Sequence, residues 1–302
     1  MENRYDPLGI DLGGTKIAAV VLGHDGRVVW DRRVPTPRED YDGTIRAIAE
    51  LVTTAEAARG RPCTVGLGTP GAISPATGLI KNANSTWLNG RPFKEDLETA
   101  LGRSVRLAND ANCLAVSEAT DGAASGAAVV FGVILGTGTG GGLVVHGRVL
   151  TGANAVAGEW GHNPIPRPEA DETPGPDCYC GLRGCLETFL SGPGIAADYI
   201  RRGGDAVPSE DVLARARAGE AHARASMDAW LRRLAKSLGT VINLVDPDVI
   251  VVGGGLSRVP EVYDVVPRLW GATVFSDDVV TPLVPAAHGD ASGVRGAAWL
   301  WR

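Results

Sequence analysis

Two blocks of the chain carry the same alternation of apolar and polar positions. The first, residues 9–30, reads GIDLGGTKIAAVVLGHDGRVVW, and the second, residues 131–150, reads FGVILGTGTGGGLVVHGRVL. Each has an apolar strand, a glycine-rich turn containing threonine, a second apolar strand, a short glycine turn and a third strand. That order predicts a β-meander whose first turn is built of glycine. Its recurrence predicts two lobes of related design facing each other.

Between and after these blocks the periodicity changes. A helix is predicted over 44–58, a strand over 64–68, and a long loop holds Pro70, Gly71 and Pro75. A strand over 105–108 enters Asn109-Asp110 and a helix from about 111 to 119. The Pro- and acid-rich stretch 164–176 predicts an exposed loop. Leu231, Leu234, Ala235, Leu238, Val241 and Ile242 recur at helical spacing and mark the buried face of a helix. Residues 248–252 form a buried strand that enters Gly253-Gly254-Gly255, and 293–302 predict a closing helix with Trp299 and Trp301.

Composition narrows the class. The 302 residues are 44 % hydrophobic and 21 % charged, which suits two ordinary globular domains or one large one. A net charge of −6 without any Lys/Arg run argues against nucleic-acid binding. No apolar run approaches the ~20 residues that span a bilayer, and the first residues lack a signal-peptide pattern. The chain therefore reads as cytoplasmic. Of five cysteines, Cys63 and Cys113 lie in apolar segments as small buried hydrophobes, while Cys178, Cys180 and Cys185 fall together.

The glycine turns carry the first chemistry. Gly136, Gly138 and Gly141 satisfy G-x-G-x-x-G, but a dinucleotide fold needs those glycines to open a helix. Here they lead into a β-branched run, Leu143-Val144-Val145, so a hairpin is expected. A hairpin of glycines can still cradle phosphate with its backbone N–H groups. In the first copy Asp11, Gly13, Gly14, Thr15 and Lys16 add a carboxylate, a hydroxyl and a cation. A carboxylate beside phosphate calls for a divalent ion between them, which points to Mg²⁺. Either turn alone could be no more than a tight hairpin; two turns together with Gly253–Gly255 favour a nucleotide site.

The turn Asp11-Leu-Gly-Gly-Thr-Lys16 resembles the first phosphate loop of the ROK family of bacterial sugar kinases and repressors. So do Leu107-Ala-Asn-Asp-Ala-Asn112, Gly158-Glu-Trp-Gly-His162 and Cys178-Tyr-Cys-Gly-Leu-Arg-Gly-Cys-Leu-Glu187, and the likeness spans essentially the whole chain. Lys81-Asn-Ala-Asn-Ser-Thr-Trp-Leu-Asn-Gly90 is most similar to bacterial fructokinases of the manno(fructo)kinase type. The resemblance implies a two-lobed actin-like, hexokinase-like (ribonuclease H-like) α/β fold with a central cleft. It also implies ATP with Mg²⁺ as cofactors, with Gly9, Ile10, Asp11, Leu12, Gly13, Gly14, Thr15 and Lys16 at the nucleotide. Gly136, Thr137, Gly138, Thr139 and Gly140 would join them, as would Gly253, Gly254 and Gly255. By position alone Asp110 could simply cap its helix; the resemblance makes it the general base and Asn109 a sugar ligand. Glu159, His162, Glu187, Asn84 and Gly71 complete the implied sugar contacts.

Three thiols within eight residues, with Gly181 and Gly184 to permit tight turns, suit a closed tetrahedral zinc site that needs one more ligand. His162 is the natural fourth, and the resemblance supports it; His24, His146, His222 and His288 have no such match. The expected division is 1–120 with the closing helix 293–302, and 121–292 carrying the zinc. The implied reaction is phosphorylation of D-fructose to fructose 6-phosphate by a homodimer. N-acetylglucosamine or glucose kinases share the motifs and are the alternatives. A sugar-responsive repressor is disfavoured, because only eight residues precede Gly9.

Overall fold

The computed structural model describes residues 5–83 and 85–302. The chain forms two compact units. One comprises Met1–Gly126, Gly142–Ala157 and Ala287–Arg302, and the other Ala127–Gly141 and Gly158–Ala286.

The chain opens with β1 (Asp6–Leu12), β2 (Lys16–Leu22) and β3 (Val28–Pro35), followed by α1 (Tyr41–Arg59) and β4 (Cys63–Thr69). A small hairpin, β5 (Ala72–Ile73) and β6 (Ile80–Lys81), precedes α2 (Phe93–Leu101), β7 (Val105–Asn109) and α3 (Asp110–Asp121). Next come β8 (Val129–Leu135), β9 (Thr139–Val145) and β10 (Arg148–Val149). Four helices follow: α4 (Glu187–Leu190), α5 (Gly192–Arg201), α6 (Ser209–Arg217) and α7 (Ala221–Val245). The chain ends with β11 (Val249–Gly253), α8 (Glu261–Leu269), β12 (Leu283–Pro285) and α9 (Ser292–Trp299).

The repeat seen in the sequence is a repeat of topology. One sheet has the order β3-β2-β1-β4-β7 and the other β10-β9-β8-β11-β12. In the first, β1, β2 and β3 pair antiparallel, whereas β4 and β7 add in parallel. In the second, β10 pairs antiparallel with β9, while β8, β11 and β12 run parallel. The predicted helix over 44–58 is α1, started by Asp40, whose Oδ1 accepts the Gly43 N–H at 2.8 Å, and stopped by Gly60 in the left-handed conformation (φ 65°). Residues 121–126, 142–157 and 287–292, expected in the second lobe, fall in the first unit. Gly142 shows why for 142–157: a Cβ there would lie 2.4 Å from the Ala111 carbonyl oxygen, so this part of β9 rests on α3.

The first unit is assembled around α9. A Cβ at Gly9 in β1 would stand 2.0 Å from the Val294 carbonyl oxygen, and one at Gly66 in β4 only 1.8 Å from that of Ala297. On the opposite side, a Cβ at Gly296 would meet the Cys113 carbonyl of α3 at 1.7 Å. Strands, terminal helix and α3 thus touch backbone to backbone. Polar ties hold this close approach. Glu118 of α3 is fully buried and accepts from the Ala123 and Ala287 N–H groups and the Ser292 hydroxyl. Asp121 accepts from Arg295 Nη2 at 2.6 Å and Trp299 Nε1 at 3.1 Å.

In the second unit the stretch 164–176 is a loop as expected, yet it is not wholly exposed. Its Glu172 is 4 % exposed and binds Arg233 Nε and Lys236 Nζ of α7, each at 2.7 Å. Arg233 also donates to Asp198 of α5 at 3.0 Å. A buried ion pair needs every partner satisfied to be tolerable, and here the network pins the loop that leads into the cysteine cluster.

Gly66→Val should destabilise the protein by at least about 3 kcal/mol, because the obstacle is backbone and cannot rotate away. Gly271→Ala, at a site with open space around the added methyl, should stay within about 0.5 kcal/mol of the parent. Chemical denaturation followed by circular dichroism reads both.

Candidate active site

In the first unit, the turn between β1 and β2 is closed by the Gly13 N–H on the Lys16 carbonyl (3.1 Å) and by Thr36, whose hydroxyl donates to the Gly13 carbonyl at 2.7 Å. Gly14, Thr15 and Lys16 are exposed. Ile10 and Leu12 are in the core and Gly9 is pressed on α9, so only their backbones are left for any ligand. Asp11 stands at the end of β1. Burial first, and then the charge of Asp110, push its carboxyl up to about 6, against the pull of Lys16.

The start of α3 decides what Asp110 can do. Asn109 is the cap: its Oδ1 accepts the Asn112 N–H at 2.8 Å. Asp110 therefore sits one residue inside the helix, where its Oδ1 accepts the Ala111 N–H at 2.8 Å. Its side chain reaches accessible surface, although it lies deep enough that burial raises its pKa.

In the second unit the glycine turn between β8 and β9 meets two other elements. Gly136 and Thr137, Gly255 after β11, and Gly192 and Pro193 at the start of α5 line a recess of about 380 Å³, with Ser209 and Glu210 of α6 on its wall. Gly254 (φ 83°) passes so close to β8 that a Cβ would meet the Leu135 carbonyl oxygen at 2.3 Å, so its glycine serves packing. The turn is held from the far side as well. Glu187 Oε2 accepts the Thr139 N–H at 2.9 Å, and Trp160 Nε1 donates to the Gly140 carbonyl at 2.9 Å. Glu187, implied as a sugar ligand, thus already spends one oxygen on the glycine turn between β8 and β9.

His162, Cys178, Cys180 and Cys185 converge, with all four donor atoms within 4.8 Å of one another. Cys180 Sγ and Cys185 Sγ are 3.6 Å apart, as are Cys178 Sγ and His162 Nδ1. A tetrahedron with Zn–S near 2.3 Å and Zn–N near 2.05 Å has edges of about 3.6–3.8 Å, so the donors fit that ion. Glu159 lies exposed just before the short 3₁₀ turn Trp160–His162.

Two further implied sugar contacts are Gly71 and Asn84. Gly71 (φ 73°) is approached by the backbone of its own chain, a Cβ there lying 2.3 Å from the Lys81 carbonyl oxygen. Asn84 lies outside the described residues. Trp87 packs against the core of the first unit. Several residues escaped the sequence reading. Tyr179 places its hydroxyl 3.1 Å from His162 Nε2, and Trp160 ties the segment to the glycine turn. Ser85 is 2 % exposed and its hydroxyl has no partner among the described residues. Ser209 and Glu210 line the recess. Only Tyr179 had a signal in sequence, its place between two cysteines of the cluster.

The ROK family profile matches residues 7–302. The chain belongs to the ROK family. It is 40 % identical to an N-acetyl-D-glucosamine kinase of Pectobacterium atrosepticum over 97 % of both chains. Among solved structures it resembles a ROK hexokinase from Thermus thermophilus, with a TM-score of 0.87 at 33 % identity over 98 % of this chain and 97 % of that one. It also resembles a ROK family glucokinase from Streptomyces griseus in complex with glucose and AMPPNP, with a TM-score of 0.75 at 28 % identity over 97 % and 98 %. The α/β hexokinase-like fold expected of a ROK chain is thereby established, and among the described residues no helix is long and apolar enough to cross a membrane.

Asp11 gives a pH signature in this ROK chain. Its pKa is raised from 3.8 to about 6 on folding, so the unfolded state releases the proton first. The resulting penalty begins near pH 4 as pH rises and is complete above about pH 6. Asp11→Asn should therefore raise the melting temperature at pH 7.5 and leave it unchanged at pH 3.5. Melting curves at the two pH values test this, and equal shifts would contradict it.

Proposed function

We propose that this ROK-family chain transfers the γ-phosphoryl group of ATP to a hexose, and that the hexose is N-acetyl-D-glucosamine. The observation that carries the reading is the near-full-length likeness to an N-acetyl-D-glucosamine kinase at 40 % identity. It favours that sugar over the fructose suggested by the segment Lys81–Gly90. The ATP part is supported by the glucokinase relative in complex with AMPPNP and by the glycine-lined recess.

In this reading each glycine turn offers backbone N–H groups suited to phosphate, and the recess beside Gly136, Gly255 and Glu210 takes the nucleoside. Asp110 accepts the proton of the attacking sugar hydroxyl. Its raised pKa brings a carboxylate nearer to the range useful for a base at neutral pH. Phosphoryl transfer asks little more of the protein than position and charge compensation. Asp11 is the residue that would face Mg²⁺, and a divalent cation there would offset its repulsion with Asp110. Glu159, His162 and Glu187 accept or donate hydrogen bonds at other sugar hydroxyls. Asn109 Oδ1 is committed to capping α3, so a sugar contact from it would have to come from Nδ2. Zinc on His162 and the three cysteines would supply a structural cross-link between the segments bearing Glu159 and Glu187.

Purified protein with ATP and a panel of N-acetylglucosamine, glucose, mannose and fructose should show the highest kcat/KM for N-acetylglucosamine in an ADP-release assay. Asp110→Asn should lower kcat by about 10²–10⁴ with unchanged circular dichroism. A preference for fructose would restore the other sugar, and near-normal turnover of the variant would remove Asp110 from the chemistry.

Elemental analysis should find one zinc per chain. Cys185→Ser should lose it and raise the KM for the sugar more than that for ATP. Equal effects on both substrates would argue against a zinc that serves the sugar loop.

A further inference from the structure

His162 has two ring nitrogens and they face different partners. Nδ1 lies 3.6 Å from Cys178 Sγ, on the side of the thiol cluster. Nε2 lies 3.1 Å from the Tyr179 hydroxyl, and the two rings meet edge to face, 5.2 Å between centroids at 87°. With Nδ1 given to the cluster, the ring's N–H is on Nε2, and the phenol oxygen of Tyr179 accepts it. That N–H is the donor which His162 has to offer a sugar hydroxyl.

Tyr179 is held at its backbone and loose at its ring. It sits between Cys178 and Cys180 in a tight turn where the Cys178 N–H donates to the Leu182 carbonyl at 2.8 Å and the Gly181 N–H to the Cys178 carbonyl at 3.0 Å. The residue is nonetheless 79 % exposed. Rotating the ring into water therefore sacrifices little packing, and the main loss is one hydrogen bond.

We propose that Tyr179 is a displaceable positioning residue that competes with the hexose for the His162 Nε2 N–H. Its hydroxyl keeps the imidazole oriented and its donor paired, and a sugar hydroxyl binds by taking that donor from it. The inference rests on the reading that His162 meets the sugar. It goes beyond that reading in assigning a cost to sugar binding, located in one exposed side chain.

Tyr179→Phe keeps the ring and removes the competing oxygen. The KM for N-acetylglucosamine, and the dissociation constant from calorimetry with the sugar alone, should fall about two- to tenfold, the equilibrium worth of one neutral hydrogen bond. The kcat, the KM for ATP and the zinc content should not change. A weaker sugar affinity in the variant would make Tyr179 a direct sugar ligand instead, and an unchanged affinity would leave it a surface residue; either result overturns the proposal. A parent protein that phosphorylates no hexose would remove the kinase reading and this inference together, whereas an active parent with an unresponsive variant removes the inference alone.

Discussion

One side-chain amide determines whether the first unit has a carboxylate available for chemistry. At the start of α3 a helix must satisfy its first N–H groups, and Asn109 does so by accepting from Asn112. Had Asp110 been the cap, its charge would have been consumed by the helix. Standing one residue later, it spends Oδ1 on Ala111 and still reaches accessible surface. The rest of the unit keeps that helix in place. Glu118 and Asp121, two and three turns further along α3, gather the donors of the chain's last segment, and Gly296 lets α9 lie directly on Cys113. The far C-terminus thus serves the residue at position 110 without coming near it in sequence.

In the second unit the equivalent role falls to Glu187 and Trp160. Both belong to the segments that flank the cysteine cluster, and both bind the glycine turn, through the Thr139 N–H and the Gly140 carbonyl. A glycine turn is a poor scaffold by itself, since glycine has the most backbone freedom to lose. Here its geometry is borrowed from its neighbours: Gly141 is packed on the Trp160 ring, and that ring stands edge to face on Phe131, 5.7 Å between centroids. Whatever moves Glu187 moves the turn, so groups assigned to different substrates share a mechanical link.

Much of this was legible in the residues. The doubled meander emerged as two sheets of identical order, because strand alternation and glycine turns are local signals. The cysteine spacing with His162 emerged as a converged cluster, because three thiols so close in sequence have few other arrangements. What stayed hidden depends on distant segments. Nothing in the local sequence of Gly9 or Gly66 announces a terminal helix against it, and Gly9 accordingly read as part of a phosphate loop. Glu172, in a stretch that reads as exposed, is buried by Arg233 and Lys236, which lie more than fifty residues away. The sugar was the least legible feature. Kinases for different hexoses share the motifs that carry the chemistry, and one polar loop, part of it outside the described residues, is a thin basis for choosing among them.

The pairing of Asp11 with Asp110 is where the local rules of stability are broken. Burial raises both carboxyls, and the charge of Asp110 adds to the cost at Asp11; such an arrangement would be removed by any selection for stability alone. Perturbed acids of this kind cluster where chemistry is done. The compensation is visible in the same unit, in a buried Glu118 with its oxygens fully engaged and in backbone contacts at three glycines that no larger residue could replace. Tight packing around α9 offsets the repulsion at the ends of β1 and α3. The same packing fixes the start of α3, and with it the position of Asp110.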